Sequence, residues 1–181
     1  ILAIGGSQGA VKINELVVGL KKSFPREFMD MGIIWSTGEF SYGTYKKRLQ
    51  EENISGSVFL SPFITNVGAA YRACDIAISR AGAGVMMELA AMGVPSILIP
   101  YPFAADNHQD GNADEFAKAG AAVKIANDDA IPEKVAPVLL DLLNNAMKLE
   151  RMRQAAQAVS KIHAAADIAM HVMNQPGAEH V

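Results

Sequence analysis

Residues 75–102 read DIAISRAGAGVMMELAAMGVPSILIPYP, and this stretch has the pattern of a β–α–β unit. The apolar runs at 76–78 and 96–99 predict two buried strands, and the residues between them predict a helix that ends at Met92. Gly93 occupies the position at which helices commonly terminate. Two parallel strands joined by a helix indicate an α/β protein.

The turn of small residues at 79–84, between the first strand and the helix, predicts a ligand site. Its backbone N–H groups lie at the N-terminus of a helix, where phosphate binds readily. Glu88 follows Gly84 by four positions and Val85 by three, so we expect these residues to share one helix face. A carboxylate there can accept hydrogen bonds from both hydroxyls of a ribose. The residues alone therefore predict a site for a phosphorylated, ribose-bearing small molecule.

Composition limits the classes of protein to consider. The 181 residues are 50% hydrophobic and 19% charged, which suits one α/β domain with a substantial core. The net charge is −3 and no Lys/Arg cluster is present, so we expect no nucleic-acid partner. No apolar run approaches the roughly 18 residues of a membrane span, and no signal peptide is recognisable. A single cysteine, Cys74, excludes a disulfide framework and fits a cytoplasmic protein.

The start of the chain is also informative. Residue 1 is Ile, and the segment 1–4 already has the composition of a buried strand. We therefore expect the sequence to be a fragment of a longer protein.

A second glycine-rich turn, GGSQGA at 5–10, follows that strand directly. Ser7 is a candidate N-cap for the next helix, and the glycines would let a ligand approach the backbone closely. Glycine is also common in such turns for packing alone, so both interpretations stay open. The turn matches neither G-x-G-x-x-G nor a G-K-[ST] loop, so the dinucleotide and P-loop fingerprints are absent.

Strands and helices alternate along the rest of the chain without any hairpin signal. This pattern predicts a doubly wound, parallel, Rossmann-like sheet with helices on both faces, in a domain of residues 1–174 followed by a loose tail at 175–181. The further predicted strands are 31–35, 58–60 and 121–125, and the further predicted helices are 42–52, 67–73, 109–119, 132–145, 147–160 and 162–174.

Two loops carry further candidate residues. Phe63 and Ile64 follow a strand at the edge where doubly wound sheets bind ligands, so they are candidates to flank a flat base; Phe63 could equally be a core residue. Gln109, Asp110 and Asn112 fall in the first turn of a predicted helix. Amide side chains both donate to and accept from sugar hydroxyls, although these residues could instead cap the helix.

Several kinds of chemistry lack their sequence signals. The histidines at 108, 163, 171 and 180 have no metal-ligand spacing with one another or with Cys74. No Asp-x-Asp pair and no G-x-S-x-G elbow is present. We therefore predict a site that holds phosphate through helix N-termini and neutral donors, with no metal and no cofactor.

Six segments together are specific: GGSQGA at 5–10, Phe63-Ile64, SRAGA at 79–83 with Glu88, Gly93-x-Pro95, PYP at 100–102 and HQDGNA at 108–113. In this order they resemble the C-terminal, donor-binding half of the MurG family. Members are GT-B glycosyltransferases that add N-acetylglucosamine (GlcNAc) from UDP-GlcNAc to lipid I, which gives lipid II. The resemblance covers residues 1 to about 172.

The resemblance implies roles at the matching positions. The turn at 5–10 would approach the donor phosphates or the acceptor, Ile64 would read the uracil edge beside Phe63, and the turn at 83–87 would hold the diphosphate. Glu88 would hold the ribose, and Gln109 with His108 would hold the GlcNAc. The implied substrate-binding residues are Ser7, Gln8, Phe63, Ile64, Ala83, Gly84, Val85, Met86, Met87, Glu88, His108 and Gln109. The implied reaction is an inverting, metal-independent displacement at the anomeric carbon.

The chain also departs from the family. Val85 replaces the usual Thr near the phosphates, and Val67 replaces a common Met beside the base. The N-terminal acceptor domain is missing, and with it the expected catalytic residues, the lipid I site and contact with the cytoplasmic face of the bacterial inner membrane. Our hypothesis is that this chain alone binds UDP-GlcNAc weakly and cannot transfer the sugar.

Three alternatives remain at this point. The chain could be half of a UDP-GlcNAc 2-epimerase, with His108 and Asp110 as candidate acid/base groups. It could be the donor-binding subunit of a split lipid-linked GlcNAc transferase, as in eukaryotes. It could also be an inactive nucleotide-sugar sensor.

Overall fold

The computed structural model describes residues 1–6, 8–52, 54, 56–162 and 164–173. The described strands are β1 (Leu2–Ile4), β2 (Ile33–Ser36), β3 (Val58–Ser61), β4 (Ala77–Ser79), β5 (Ser96–Leu98) and β6 (Ala122–Lys124). The described helices are α1 (Val11–Ser23), α2 (Glu39–Glu51), α3 (Val67–Ala73), α4 (Ala83–Ala91), α5 (His108–Lys118), α6 (Pro132–Leu143), α7 (Ala146–Val159) and α8 (Ala164–Met173). A short 3₁₀ turn, Ala105–Asn107, precedes α5.

The strands form one parallel sheet in the order β3-β2-β1-β4-β5-β6. Leu2 of β1 lies beside Ile34 on one side and beside Ala77 on the other. The order reverses between β1 and β4, and this arrangement creates a crevice at the carboxyl ends of those strands, where doubly wound sheets bind ligands. The predicted doubly wound, parallel, Rossmann-like sheet is confirmed.

Apolar side chains cover both faces of the sheet because successive residues of a strand point to opposite sides. Ile76 and Ile78 pack with apolar residues of α1 and α6, whereas Ala77 packs with those of α3, α4 and α5. This burial of both faces explains why the strands read as continuous apolar runs rather than as alternating ones.

Helix boundaries differ from the predicted ones by up to three residues. α2 begins at Glu39 rather than at residue 42, directly after Gly38. α1 begins at Val11 with Ala10 at the N-cap position and no side-chain cap, so the prediction that Ser7 caps this helix is wrong. Ser7 itself and the predicted tail at 175–181 lie outside the described residues.

The turns after β1 and β2 touch each other through their backbones. Gly9 has φ +77° and Gly38 has φ +84°, conformations that favour glycine. A Cβ atom on Gly9 would lie 1.9 Å from the carbonyl oxygen of Thr37, and one on Gly38 would lie 2.2 Å from that of Gln8. This close approach fixes the positions of Gln8 and Gly9 at the crevice.

A buried asparagine ties α1 to the end of β2 below these turns. The Trp35 indole donates a hydrogen bond to Asn14 Oδ1 at 2.8 Å, and Asn14 Nδ2 donates to the carbonyl oxygen of Thr37 at 2.9 Å. Asn14, Trp35 and Thr37 are all buried, so the polar atoms in these two hydrogen bonds depend on each other for a partner.

Candidate functional site

Two adjoining cavities lie over the carboxyl ends of β1 and β4. The smaller has a volume of about 220 Å³, and Phe63, Ile64, Tyr71 and Glu88 are among its lining residues. The larger has a volume of about 840 Å³, and its lining residues include Gln8, Arg80, Tyr101, Phe103, Gln109 and Asn127. Gly6 and Val85 line both cavities, so the two spaces meet at the point where the strand order reverses.

In the smaller cavity, a buried tyrosine holds the predicted ribose-binding carboxylate. Tyr71 on α3 is 3% exposed, and its hydroxyl donates to Glu88 Oε2 at 2.7 Å. Burial raises the pKa of Tyr71, and the hydrogen bond to Glu88 raises it further, so the phenol keeps its proton. Sequence reasoning missed Tyr71 because, in a short helix, it reads simply as an apolar core residue.

Phe63 and Ile64 also line the smaller cavity. Phe63 is 53% exposed, so the alternative that it is a plain core residue is wrong. Ser61 Oγ donates to the Phe63 carbonyl oxygen at 2.8 Å and so helps to fix the loop. The exposed ring and the neighbouring backbone of Ile64 provide an apolar surface beside polar main-chain groups.

The N-terminus of α4 borders both cavities. Intrahelical hydrogen bonding begins where Met86 N donates to the carbonyl oxygen of Gly82 at 3.0 Å. The N–H groups of the preceding helical residues, Ala83, Gly84 and Val85, have no partner within the helix because of its geometry. They concentrate partial positive charge at this end, which favours an anion.

Packing separates the side chains of the predicted 83–87 segment. Val85 and Glu88 line the smaller cavity together, in agreement with the predicted common face. Met86 is 2% exposed and lies in the core, whereas Met87 lines a separate groove beside Ile162. The structure therefore brings neither methionine side chain into the two cavities.

Arg80 supplies a cation in the larger cavity that sequence reasoning did not select. Its Nη1 donates to the carbonyl oxygens of Ile99 at 3.1 Å and Pro100 at 3.0 Å, and to Asn127 Oδ1 at 2.9 Å. The guanidinium carbon lies 5.4 Å from the centre of the Tyr101 ring. Burial lowers the pKa of Arg80, although a guanidinium stays charged at neutral pH. Its signal in the sequence is that it is the one basic residue in 75–102.

The amide side chains at the start of α5 connect loops rather than cap the helix. The N-cap of α5 is Asn107, with no side-chain cap. Gln109 lines the larger cavity, and its Oε1 accepts from Tyr101 N at 3.0 Å, so its NH₂ group is the part left to donate to a ligand. Asn112 Nδ2 donates to the carbonyl oxygen of Ala81 at 3.1 Å and so steadies the turn before α4. The capping alternative is wrong for Gln109 and Asn112.

His108 and Asp110 lie beside this region without lining either cavity. His108 is exposed, and its Nδ1 is 2.7 Å from the carbonyl oxygen of Ala105. Asp110 forms an ion pair with Lys124 at 2.7 Å. Among the described residues, no group of three or more His, Cys, Asp or Glu side chains could hold a metal ion.

The N-terminus of α1 also borders the larger cavity. Gln8, Val11 and Lys12 line it, and intrahelical bonding starts where Asn14 N donates to the carbonyl oxygen of Ala10 at 2.9 Å. Together with α4 and Arg80, this helix end gives the larger cavity a positive character suited to phosphate groups.

Comparison with known proteins places this arrangement in a family. The model of the glycosyltransferase family 28 C-terminal domain matches residues 1–172. A UDP-N-acetylglucosamine--N-acetylmuramyl-(pentapeptide) pyrophosphoryl-undecaprenol N-acetylglucosamine transferase from Desulforamulus reducens is 38% identical over 172 residues, which are 93% of this chain and 46% of the relative. A protein of the same name from Aquifex aeolicus is 42% identical over 146 residues, which are 80% of this chain and 40% of the relative.

A solved structure agrees with these sequence matches. MurG from Acinetobacter baumannii superposes with a TM-score of 0.83 at 28% identity, over 96% of this chain and 49% of that one. The resemblance to the MurG family and the expected fold, the C-terminal half of a GT-B glycosyltransferase, are thus confirmed. The chain spans about half the length of the relatives it matches. None of the helices within the described ranges is long and apolar enough to cross a bilayer. The chain belongs to the glycosyltransferase family 28 C-terminal domain family.

Proposed function

We propose that this chain is the UDP-GlcNAc-binding domain of an inverting, metal-independent transferase that adds GlcNAc to lipid I and so makes lipid II for peptidoglycan. The observation that carries the proposal is the meeting of the two cavities at Val85. One contains a carboxylate suited to a ribose, and the other contains helix N-termini and a cation suited to phosphate. The names of the relatives point to the same donor.

The donor would cross the crevice from the smaller cavity to the larger one. The uracil would lie against Phe63 and read the Ile64 backbone, and its ribose hydroxyls would donate to Glu88. The diphosphate would lie over the N–H groups of Ala83, Gly84 and Val85. Valine offers no hydroxyl there, so the phosphates would depend on backbone groups and on Arg80.

The GlcNAc would then extend into the larger cavity. The free NH₂ group of Gln109 would donate to a sugar oxygen, and His108 at the rim would assist. In the reaction, the acceptor hydroxyl oxygen bonds to the anomeric carbon as the bond from that carbon to the UDP oxygen breaks, with inversion. Negative charge grows on UDP, and Arg80 with the N-termini of α1 and α4 stabilises it.

The acceptor and the proton-accepting base would come from outside this chain. We assign lipid I, the catalytic base and contact with the cytoplasmic face of the bacterial inner membrane to the half of the relatives that the chain does not match. The domain would span residues 1–174 and use no cofactor and no nucleic acid. Alone, it would bind the donor without transferring the sugar.

The epimerase alternative is not favoured. It depends on a pair of acid/base groups near the sugar, and Asp110, one of its two candidates, lies outside the lining of both cavities. Asp110 is also engaged with Lys124.

Calorimetric titration with UDP-GlcNAc, UDP-GalNAc and UDP, repeated with a chelator, tests the proposal. We expect all three to bind, UDP-GlcNAc most tightly, with affinities that the chelator does not change. A companion assay with a lipid I analogue should detect no transfer by the chain alone. Absence of UDP binding, or binding that disappears with the chelator, contradicts the donor assignment; measurable transfer contradicts the assignment of catalysis to another domain.

A further inference from the structure

The hydrogen bond between Tyr71 and Glu88 connects helix α3 to helix α4. Tyr71 Oη donates to Glu88 Oε2 at 2.7 Å inside the smaller cavity. The tyrosine is 3% exposed, whereas Glu88 is exposed at the cavity surface. The carboxylate that lines the cavity thus accepts a hydrogen bond from a buried group with little freedom to move.

The tyrosine itself is firmly placed. α3 begins at an N-cap, Asn66, whose side chain accepts a hydrogen bond from Ala69 N at 3.1 Å. Tyr71 packs with the apolar residues that cover the α3, α4 and α5 face of the sheet, including Ala70 and Leu89. Because burial keeps the phenol protonated, its single hydrogen remains available to Glu88.

A carboxylate fixed in this way has a defined orientation toward the cavity. Glu88 Oε2 already accepts a hydrogen bond from Tyr71 and can accept one more. The other oxygen, Oε1, can also accept hydrogen bonds. Adjacent ribose hydroxyls would each donate to this pair. When the 2′-hydroxyl is missing, a freely rotating carboxylate could turn toward the 3′-hydroxyl that remains. A fixed carboxylate could not turn, and one of its oxygens would be left without a hydrogen bond from the ribose.

We propose that Tyr71 is a positioning residue, which fixes the Glu88 carboxylate so that the smaller cavity distinguishes ribonucleotides from 2′-deoxyribonucleotides. This inference rests on the proposed function, in which that cavity holds the ribose of a uridine nucleotide. Tyr71 does not touch the reacting atoms; it acts through Glu88.

The test compares the dissociation constants of UDP and 2′-deoxy-UDP. We expect the unaltered chain to bind UDP about 10-fold more tightly or better, because a hydrogen bond to a charged group is lost with the 2′-hydroxyl. Tyr71→Phe keeps the ring and removes the hydroxyl, so the preference should fall at least 3-fold while the melting temperature stays within a few degrees. In the Glu88→Ala background, Tyr71→Phe should leave the preference unchanged, since there is no carboxylate to orient.

Tyr45→Phe is a matched control. Tyr45 is 4% exposed and donates to Glu15 Oε1 at 2.7 Å, so the substitution removes a similar bond outside the smaller cavity. The preference for UDP should persist in this variant. Tyr71→Met, which keeps a flexible apolar side chain, serves as a second variant with the same expected loss if Tyr71→Phe does not fold.

The outcomes separate the two hypotheses. If the unaltered chain prefers UDP and Tyr71→Phe retains that preference, the positioning role is wrong and the proposed function stands. Equal binding of UDP and 2′-deoxy-UDP by the unaltered chain also overturns the role. If neither nucleotide binds, the proposed function itself fails.

Discussion

Arg80 Nη1 donates to Asn127 Oδ1 at 2.9 Å, a contact between residues 47 positions apart. The same nitrogen donates to the carbonyl oxygens of Ile99 and Pro100, so one guanidinium joins the segments that follow β4, β5 and β6. Its charge is therefore held in place before any ligand arrives. A preorganised cation stabilises developing negative charge without the cost of reorganisation.

The first prediction concerns that cation. Arg80→Lys should weaken UDP binding by about 1–3 kcal/mol, because an ammonium on a flexible stem does not reproduce the planar guanidinium whose Nη1 is held by three acceptors. Titration calorimetry measures the loss. Arg72→Lys, at an exposed position of α3, is the matched control and should bind UDP as the unaltered chain does. If the unaltered chain and both variants bind UDP with equal affinity, Arg80 does not contact the phosphates.

The second prediction concerns the ribose carboxylate. Glu88→Ala should weaken UDP, UDP-GlcNAc and UDP-GalNAc alike, by about 1–3 kcal/mol, because all three ligands carry the same ribose. Glu115→Ala, on the exposed side of α5, controls for the loss of one negative charge. A Glu88→Ala variant with unchanged affinity for all three ligands would show that the ribose lies elsewhere.

The third prediction concerns the sugar end. Gln109→Ala should weaken only the sugar-bearing ligands and leave UDP binding unchanged, since Gln109 lines the larger cavity, in which the proposal puts the GlcNAc. The variant should also lose about 1 kcal/mol of stability, because Tyr101 N loses its acceptor. Calorimetry and urea unfolding measure the two effects. A parallel loss of UDP affinity would instead assign Gln109 to the nucleotide.

The sequence predicted elements better than it predicted contacts. Gly93, with φ +61°, follows α4 as the sequence indicated, and α3 has its predicted bounds, Val67–Ala73. Local patterns decide such features because they depend on residues within one turn of the chain. Gly38 gave no comparable indication that α2 would begin immediately after it.

The site was predicted only in part, because local patterns reveal neighbours in the chain but not contacts between distant residues. Glu88 and Val85 were found together because helical spacing alone puts them on one face. Tyr71 and Arg80 were missed, since their partners lie 17 and 47 positions away and only the packed sheet brings them together. Met86 was included as a member of a continuous segment, although the helix turns its side chain into the core.

The fourth prediction concerns the buried link below the site. Asn14→Ala should reduce the free energy of unfolding by about 2–4 kcal/mol, because the Trp35 indole and the Thr37 carbonyl would both be buried without a partner. Urea unfolding followed by Trp35 fluorescence measures the change. Asn144→Ala, at an exposed position, should change stability by less than about 0.5 kcal/mol. Similar losses in both variants would mean that the buried pair contributes nothing specific.

The fifth prediction compares two glycines of the GGSQGA turn. Gly6 and Gly9 have φ values of +85° and +77°, so alanine at either position is strained by about 1 kcal/mol. A Cβ atom on Gly6 meets nothing within 4 Å, whereas one on Gly9 would lie 1.9 Å from the Thr37 carbonyl oxygen. Gly9→Ala must therefore displace the backbone of one turn.

We expect Gly6→Ala to cost about 1 kcal/mol of stability and Gly9→Ala to cost more than about 3 kcal/mol. Urea unfolding of the two variants measures the difference directly. Because the turn borders the larger cavity, UDP titration of Gly9→Ala at a temperature where it stays folded should also show weaker binding. Equal stability losses would mean that the two turns can separate without cost, and that their contact does not position the GGSQGA backbone.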